Sequence, residues 1–393
     1  MLAPLNSASR TRRVVAELLV VAVVVALRVA AYRPDQAWIS RHVTLLNGPP
    51  LSDEAWRAGV RGLLVLAALV LLRWRLALVS IASNTSLARL ARATLPVLVA
   101  FAASAVTVEA FLRWRPPGVL RGRPVDPYGA PHPRYGWTGQ PSSTSTVRVS
   151  GRDVVVAFNR EGIRVPRQAD EPDPARPTIL FTGESIALGF GLEYAESFPA
   201  LIAARRGLQC VNLAGAGYGS DQAYLRLSDA MPRFERPVAT VTVFIPLQLG
   251  RNLYDDRPRL VLGPTGELEL VPASTDFLSR LQILRLLWRW PYLGDRSIDR
   301  TLSLTATILR ETSIRTRARG ATPLFVILSH GASRPLDEHA ETWILRALLV
   351  KQELPFILVD LPPDQLLNED YHPGASGDEM IAAAILAALP PRP

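Results

Sequence analysis

Five short apolar runs after residue 170 constrain the fold more than any other feature. They lie near residues 178–181, 208–213, 239–247, 322–329 and 356–360. Each has the length and the β-branched or aromatic content of a buried strand, and helical patterns separate them. Strands that alternate with helices pair in parallel, with the crossover helices on both faces of the sheet. The pattern predicts an α/β domain with a parallel five-stranded sheet.

The residues after the first run place a serine at the carboxyl edge of that sheet. Thr178–Phe181 predicts a strand, Gly183 permits a tight turn, and Phe198–Arg205 predicts a helix. Ser185 lies between them, at the edge where open α/β folds bind ligands. A Gly-X-Ser tripeptide is by itself usually a turn, so its interpretation as a nucleophile depends on segments further along the chain.

One such segment, Asn368–Gly374, precedes a predicted closing helix over Gly377–Leu389. Asp370 and His372 are two residues apart, so their side chains can point the same way and the carboxylate can reach one imidazole nitrogen. An imidazole held in this way and aimed at a hydroxyl makes a serine nucleophilic near neutral pH. The alternative is a polar loop whose aspartate caps the last helix.

A glycine-rich stretch, Val211–Gln222, lies between these two segments. Gly215, Gly217 and Gly219 occupy alternate positions, which lets backbone amides approach a ligand. The spacing is not that of a dinucleotide-binding fingerprint, and the only lysine, Lys351, is not part of a phosphate-binding loop.

In this order the three segments resemble the SGNH (GDSL-type) hydrolase family, and specifically its membrane-anchored bacterial members, over roughly residues 125–390. The resemblance implies a flavodoxin-like three-layer fold. It implies that Ser185 is the nucleophile, that His372 is its base and that Asp370 orients the imidazole. The backbone amides of Ser185 and Gly217 would form an oxyanion hole.

Two positions depart from the family's pattern. Its Gly-Asp-Ser is replaced by Gly183-Glu184-Ser185, which adds a methylene at a position that supports the turn. Its third segment, Gly-X-Asn-Asp after the third strand, is degraded. Either Gln248, directly after the predicted strand, or Asn252, in Gly250-X-Asn252, would complete the oxyanion hole, and the sequence leaves both open. Without either, the enzyme is expected to be slow or inactive.

Residues 1–115 are predicted to form a membrane module of about three helices. Val14–Tyr32 and Thr94–Leu112 are each close to the roughly 20 residues that a span needs. A third span is predicted at about Glu54–Leu72, which leaves Arg73 and Arg75 among the lipid headgroups.

The arginines set the expected orientation. The leader and the segment 73–92 carry arginines and no acidic residue, so both belong inside. Three spans then place the rest of the chain on the periplasmic or extracellular side, whereas a middle segment that does not cross leaves the catalytic domain in the cytosol.

The remaining chain is divided into a connector with short strands over 116–170 and a hydrolase-like domain over 171–393. An insertion at about 250–318 is predicted to contain a hairpin, Leu260–Val271, and an apolar helix, Phe277–Trp290.

Composition argues against other classes of function. The net charge is +9, yet 43 of the 44 basic residues are arginine, which indicates a GC-rich genome rather than a nucleic-acid surface. Cys210 is the single cysteine, so no internal disulfide is expected. The five histidines are scattered, and no metal or other cofactor is predicted. His330 ends a predicted strand and is interpreted as a loop histidine.

The sequence therefore predicts a membrane-anchored ester hydrolase that acts through a serine acyl-enzyme on acyl or acetyl esters of surface glycans or lipids. Two alternatives stay open. One is a polysaccharide O-acyltransferase with the same triad, and the other is a catalytically inactive glycan-binding module.

Overall fold

The structure is a computed structural model that describes residues 7–32, 53–84, 87–114, 129–253, 257–274, 281, 298–329, 344–367 and 372–390. The described residues fall into two compact units, one before and one after residue 115.

The first unit consists of the helices α1 Ser7–Tyr32, α2 Asp53–Asn84 and α3 Leu87–Trp114. They cover the three apolar segments of the sequence, and α1 packs against α2. Large apolar side chains along them are exposed, among them Leu18 and Leu98. Within the described stretches, no helix is both long enough and apolar enough to cross a membrane.

The second unit is built on an eight-stranded sheet, flanked by two separate hairpins. The hairpins pair β1 Gly129–His132 with β2 Gly136–Gly139, and β9 Arg259–Leu262 with β10 Leu268–Val271. The sheet contains β3 Ser143–Val149, β4 Arg152–Phe158, β5 Arg164–Val165, β6 Thr178–Thr182, β7 Gln209–Asn212, β8 Pro237–Phe244, β11 Thr322–Ser329 and β12 Phe356–Asp360. Their order is β12-β11-β8-β6-β7-β5-β4-β3.

The five predicted strands are confirmed as the parallel part of the sheet, β6, β7, β8, β11 and β12. The predicted five-stranded sheet is nevertheless too small, because β3, β4 and β5 extend it in antiparallel pairing. Val154, Val156 and Phe158 of β4 are buried in the same apolar cluster as β6. That burial makes part of the predicted connector a component of the sheet.

Helices cover both faces, which confirms the three-layer arrangement. They are α4 Ser185–Leu188, α5 Phe198–Arg206, α6 Ser220–Ala230, α7 Leu247–Arg251, α8 Ile298–Ala318 and α9 Ala375–Ala388, and a π-helical turn spans Arg346–Val350. Alternate residues of β6 face opposite layers. Phe181 packs with Phe198 of α5 and Ile381 of α9, whereas Leu180 packs with Leu227 of α6.

The predicted helix over Phe198–Arg205 and the predicted hairpin over Leu260–Val271 are confirmed. The predicted closing helix is also confirmed, beginning at Ala375. The predicted helix Phe277–Trp290 lies outside the described residues except for Leu281.

Cys210, in β7, packs at the edge of the main apolar cluster, and burial raises the pKa of its thiol to about 12.

Candidate active site

The turn between β6 and α4 places Ser185 at the carboxyl edge of the parallel sheet. Gly183 has a φ of +147°, and a Cβ atom there would lie 2.8 Å from the carbonyl oxygen of Val243. Only glycine fits such a turn. Glu184 caps α4, since its Oε1 accepts the backbone amide of Ile186 at 3.0 Å. Strand, turn and cap together fix the side chain of Ser185 at the start of the helix.

His372 lies directly against this serine. Its Nε2 is 2.7 Å from Oγ of Ser185, across 187 positions of sequence. The ring of Phe190 packs on the imidazole with centroids 4.6 Å apart. The carbonyl of His372 accepts the amide of Leu367 at 2.8 Å, which fixes the backbone that carries the ring. The structure thus brings together the two residues predicted as nucleophile and base.

The third predicted member of the triad, Asp370, lies outside the described residues, and so does His330, the other histidine considered near the cleft. The role of Asp370 in orienting His372 stays a prediction.

Glu184 forms a second contact with the nucleophile. Oγ of Ser185 donates to Oε2 of Glu184 at 2.5 Å, and the carboxylate is 1% exposed. A serine hydroxyl has one proton, so it cannot donate to Glu184 and to His372 at the same time. Sequence reasoning assigned Glu184 to the turn alone. The side chain of glutamate is one methylene longer than that of aspartate, and this is the sequence feature that allows the contact.

The glycine-rich segment lies beside the serine turn. The amide of Gly215 donates to the carbonyl of Gly183 at 3.3 Å. Asn212 ties the same segment to α4, because its side chain accepts the amide of Ala214 at 3.1 Å and donates to the carbonyl of Ala187 at 2.8 Å. Asn212 is a positioning residue that sequence reasoning missed.

The two predicted backbone donors of the oxyanion hole are not held by any other described residue. Gly217 has a φ of +70°, which favours glycine. Neither its amide nor the amide of Ser185 donates a hydrogen bond to a residue within the described ranges. Both amides are therefore able to serve a ligand oxygen.

Gln248 was predicted to follow directly after the third strand, but it does not. That strand ends at Phe244, because Pro246 lacks the amide that would continue it and instead precedes α7. Gln248 lies within α7 and is 1% exposed. Its Oε1 accepts the amide of Ile245 at 3.1 Å, and its Nε2 lies 3.5 Å from the carbonyl of Tyr218.

Asn252, the other candidate for the oxyanion hole, follows α7 and is 1% exposed. Its Nδ2 donates to the hydroxyls of Ser220 at 2.7 Å and Thr305 at 2.8 Å. An amide nitrogen has two hydrogens, so this geometry uses both. In the structure, Asn252 joins α6 to α8.

A guanidinium group of the same segment lies near the carboxylate of Glu184. Nη1 of Arg251 lies 3.7 Å from Oε2 of Glu184 and donates to the carbonyl of Tyr218 at 3.2 Å. Arg251 lies between Gln248 and Asn252 in the sequence, yet no sequence pattern singled it out.

A buried ion pair supports this side of the site. Arg257 donates to both carboxylate oxygens of Asp221, at 2.7 and 2.9 Å, and neither side chain is exposed. Arg257 also donates to the carbonyl of Arg251 at 2.9 Å. A pair without a fixed spacing carries no sequence pattern, so it was not predicted. Among all the described residues, no group of three or more His, Cys, Asp or Glu side chains could hold a metal ion.

No family model matches the chain, and no curated protein matches it either. Solved structures that are similar to it include a putative lipolytic protein of the G-D-S-L family from Desulfitobacterium hafniense, at 13% identity and a TM-score of 0.33, covering 54% of this chain and 99% of that one.

Two further similar structures are esterases. One is an acetyl xylan esterase from Butyrivibrio proteoclasticus, at 13% identity and a TM-score of 0.32, covering 56% of this chain and 64% of that one. The other is an esterase from Pseudoalteromonas sp., at 13% identity and a TM-score of 0.31, covering 54% and 96%. At these scores the assignment of a function depends on the geometry around Ser185.

Proposed function

We propose that this chain is a serine ester hydrolase that acts through an acyl-enzyme. The observation that carries the proposal is the 2.7 Å contact between Oγ of Ser185 and Nε2 of His372. A hydroxyl within hydrogen-bond reach of an imidazole is the arrangement of an activated nucleophile. The open amides of Ser185 and Gly217 add the electrostatic stabilisation that acyl transfer requires.

In the proposed reaction Oγ of Ser185 attacks the ester carbonyl while its proton passes to Nε2 of His372. The amides of Ser185 and Gly217 donate to the resulting oxyanion. Collapse of the tetrahedral intermediate breaks the bond to the alcohol oxygen, which takes the proton from His372. Water then attacks the acyl-enzyme, with His372 as base, and releases a carboxylic acid and free Ser185. Asp370 is proposed to hold the imidazole in the orientation that both steps need.

The proposed substrates are acyl or acetyl esters of surface glycans or lipids, as the resemblance of the sequence implies. Pre-steady-state hydrolysis of p-nitrophenyl acetate tests the reaction class. An acyl-enzyme that is hydrolysed more slowly than it forms predicts a burst of p-nitrophenol equal to the enzyme concentration, followed by a slower steady rate. A folded enzyme that gives no release above that of Ser185→Ala would refute the proposal and would favour an inactive binding module.

A separate proposal concerns the first unit, whose helices we infer to attach the chain to the cell membrane, with the catalytic domain on the periplasmic or extracellular side. Support comes from the arginine distribution described above and from the exposed apolar side chains of α1, α2 and α3, which soluble monomers rarely present as long stripes. Alkaline phosphatase fused after Pro393 is expected to be active. An inactive phosphatase with an active cytosolic reporter at the same position would place the domain inside.

A further inference from the structure

A cavity of about 370 Å³ lies between the β1–β2 hairpin, the segment after β4 and the helix α6. Its size falls in the range of about 300–1,000 Å³ that is usual for small-molecule sites. Ser185, Glu184 and His372 do not line it. Its polar wall is instead rich in arginine, with Arg160, Arg226 and Arg233.

Arg226 is a buried cation without a carboxylate partner. It is 4% exposed, and its guanidinium donates to the backbone carbonyls of Gly162 at 2.6 Å, Ala214 at 3.3 Å and Glu161 at 3.4 Å. Among the described residues no acidic side chain pairs with it. These three carbonyls use at most three of its five N–H groups. A buried charge is normally paired with an opposite charge, whereas Arg226 has only uncharged partners, which include the hydroxyl of Tyr218 as well as the three carbonyls.

The acidic residues of the cavity do not supply that partner, because other groups hold them. Asp229 pairs with Arg134 at 2.7 Å and accepts the hydroxyl of Tyr135 at 2.6 Å. Glu161 forms an ion pair with Arg233. After these pairings Arg226 is left as a positive charge at the wall of the cavity.

His132, also in this wall, adds no positive charge at neutral pH. Burial lowers the pKa of its imidazole, and the neighbouring charge of Arg226 lowers it further. The cationic character of the cavity therefore comes from arginine.

A hydroxyl without a partner lies in the same wall. Thr138, in β2, is 5% exposed, and its Oγ1 makes no hydrogen bond within the part of the chain that the structure describes. The hydroxyl of Tyr218 lies near enough to interact with Thr138 and with Arg226, and it gives its own proton to the carbonyl of Trp137 at 2.7 Å. Buried hydroxyls without a partner are uncommon, because each loses its hydrogen bonds to water. A donor without a well-formed hydrogen bond, beside a cation without a carboxylate partner, indicates a site for an acceptor with negative charge.

We propose that this cavity binds a small ligand through an anionic oxygen group, a phosphate or a carboxylate, which accepts hydrogen bonds from Arg226 and from the hydroxyl of Thr138. The planar guanidinium presents its N–H groups in a geometry that matches both anions. This site does not depend on the proposed ester hydrolysis.

The test measures thermal unfolding of the purified full-length protein with inorganic phosphate, glucuronate or acetate, each against chloride at equal ionic strength. At least one of the three anions is expected to raise the melting temperature in a saturable way. Stabilisation by phosphate alone would identify a phosphate group, whereas stabilisation by glucuronate or acetate would identify a carboxylate. No saturable shift with any of them would overturn the proposal.

Two variants separate binding from a general salt effect. Thr138→Val removes only the unpaired hydroxyl, so the ligand-free melting temperature should hold or rise while the affinity falls about tenfold or more. Arg233→Gln removes the closer of the two arginines that pair with Glu161 and should weaken anion binding as well. Arg148→Gln removes an exposed arginine outside the cavity and should leave the affinity unchanged. Equal affinity in wild type, Thr138→Val and Arg233→Gln would overturn the proposal, even if one of these variants folds poorly.

Discussion

The hydroxyl of Ser185 donates to the carboxylate of Glu184 at 2.5 Å, which places an acceptor other than His372 on the proposed nucleophile. While the proton points to Glu184, it is not positioned for transfer to Nε2 of His372. The contact exists because glutamate reaches one methylene further than aspartate. It ties the resting position of the nucleophile to a residue that also caps α4.

Shortening this side chain should therefore release the serine. Glu184→Asp keeps a carboxylate that can cap α4, since aspartate is among the best capping residues, but removes the reach to Oγ. We expect kcat/KM for p-nitrophenyl acetate to rise severalfold, with a changed pH profile, because the hydroxyl then donates to His372. Glu184→Ala is the control for the cap and should lose about 1 kcal/mol of stability. Unchanged or lower kcat/KM in Glu184→Asp would show that the contact does not restrain the serine.

Removal of either the proposed nucleophile or the proposed base should abolish most of the activity. Ser185→Ala and His372→Ala are each expected to lower turnover roughly a thousandfold or more while the fold remains intact, because neither residue activates the reaction alone. Asp370→Asn should retain more activity than either. Steady-state kinetics with circular dichroism as a folding control measure this. If His330→Ala lowered turnover as much as His372→Ala, the base would have been assigned to the wrong histidine.

Gln248 and Asn252 should matter for stability more than for acylation. Both amides already make buried hydrogen bonds, and Asn252 joins α6 to α8. Each substitution by alanine is expected to cost about 1–3 kcal/mol of unfolding free energy, because it leaves buried partners unsatisfied. Acylation of the folded fraction should change less than tenfold. A loss of roughly a hundredfold in either variant would return that residue to the oxyanion hole.

Asp378 should make the protein less stable as the pH rises. Burial raises the pKa of its carboxyl well above the ordinary value, although the amide of Phe198 donates to it. From about pH 4 upward the unfolded chain releases a proton that the folded chain keeps, so the unfolding free energy falls with pH. Asp378→Asn keeps an acceptor for Phe198 and cannot ionise.

Urea unfolding of Asp378→Asn and wild type at about pH 4 and about pH 8 measures this effect. The variant should be the more stable protein at the higher pH, and the difference should shrink at the lower pH. A variant that loses more stability at the higher pH would show that the ionised carboxylate stabilises the fold.

The parallel strands and the pairing of Ser185 with His372 could be predicted from sequence for different reasons. Buried parallel strands are continuous apolar runs, which local composition reveals. The pairing follows from the family resemblance that the order of segments carries, although 187 positions separate the two residues. The place of strands β3 to β5 in the sheet could not be predicted, because it depends on contacts with residues that are distant in the sequence. Arg164 of β5, for example, donates to the carbonyls of Leu188 and Gly189.

The roles of Gln248 and Asn252 could not be predicted, because they depend on where β8 ends. Residue type and distance along the chain favoured different candidates. The observed end at Phe244 places both side chains in the packing around α7. The contact of Glu184 with Ser185 depends on one side-chain conformation, which no local pattern determines.

Covalent labelling of the full-length protein with a fluorophosphonate tests the central claim most directly. The reagent phosphonylates serines that a neighbouring base activates. Peptide mass spectrometry is expected to place the adduct on Ser185, with no adduct in Ser185→Ala and slow labelling in His372→Ala. A folded protein that takes up no label, or that is labelled on another serine while Ser185 stays unmodified, would contradict the assignment of Ser185 as the nucleophile.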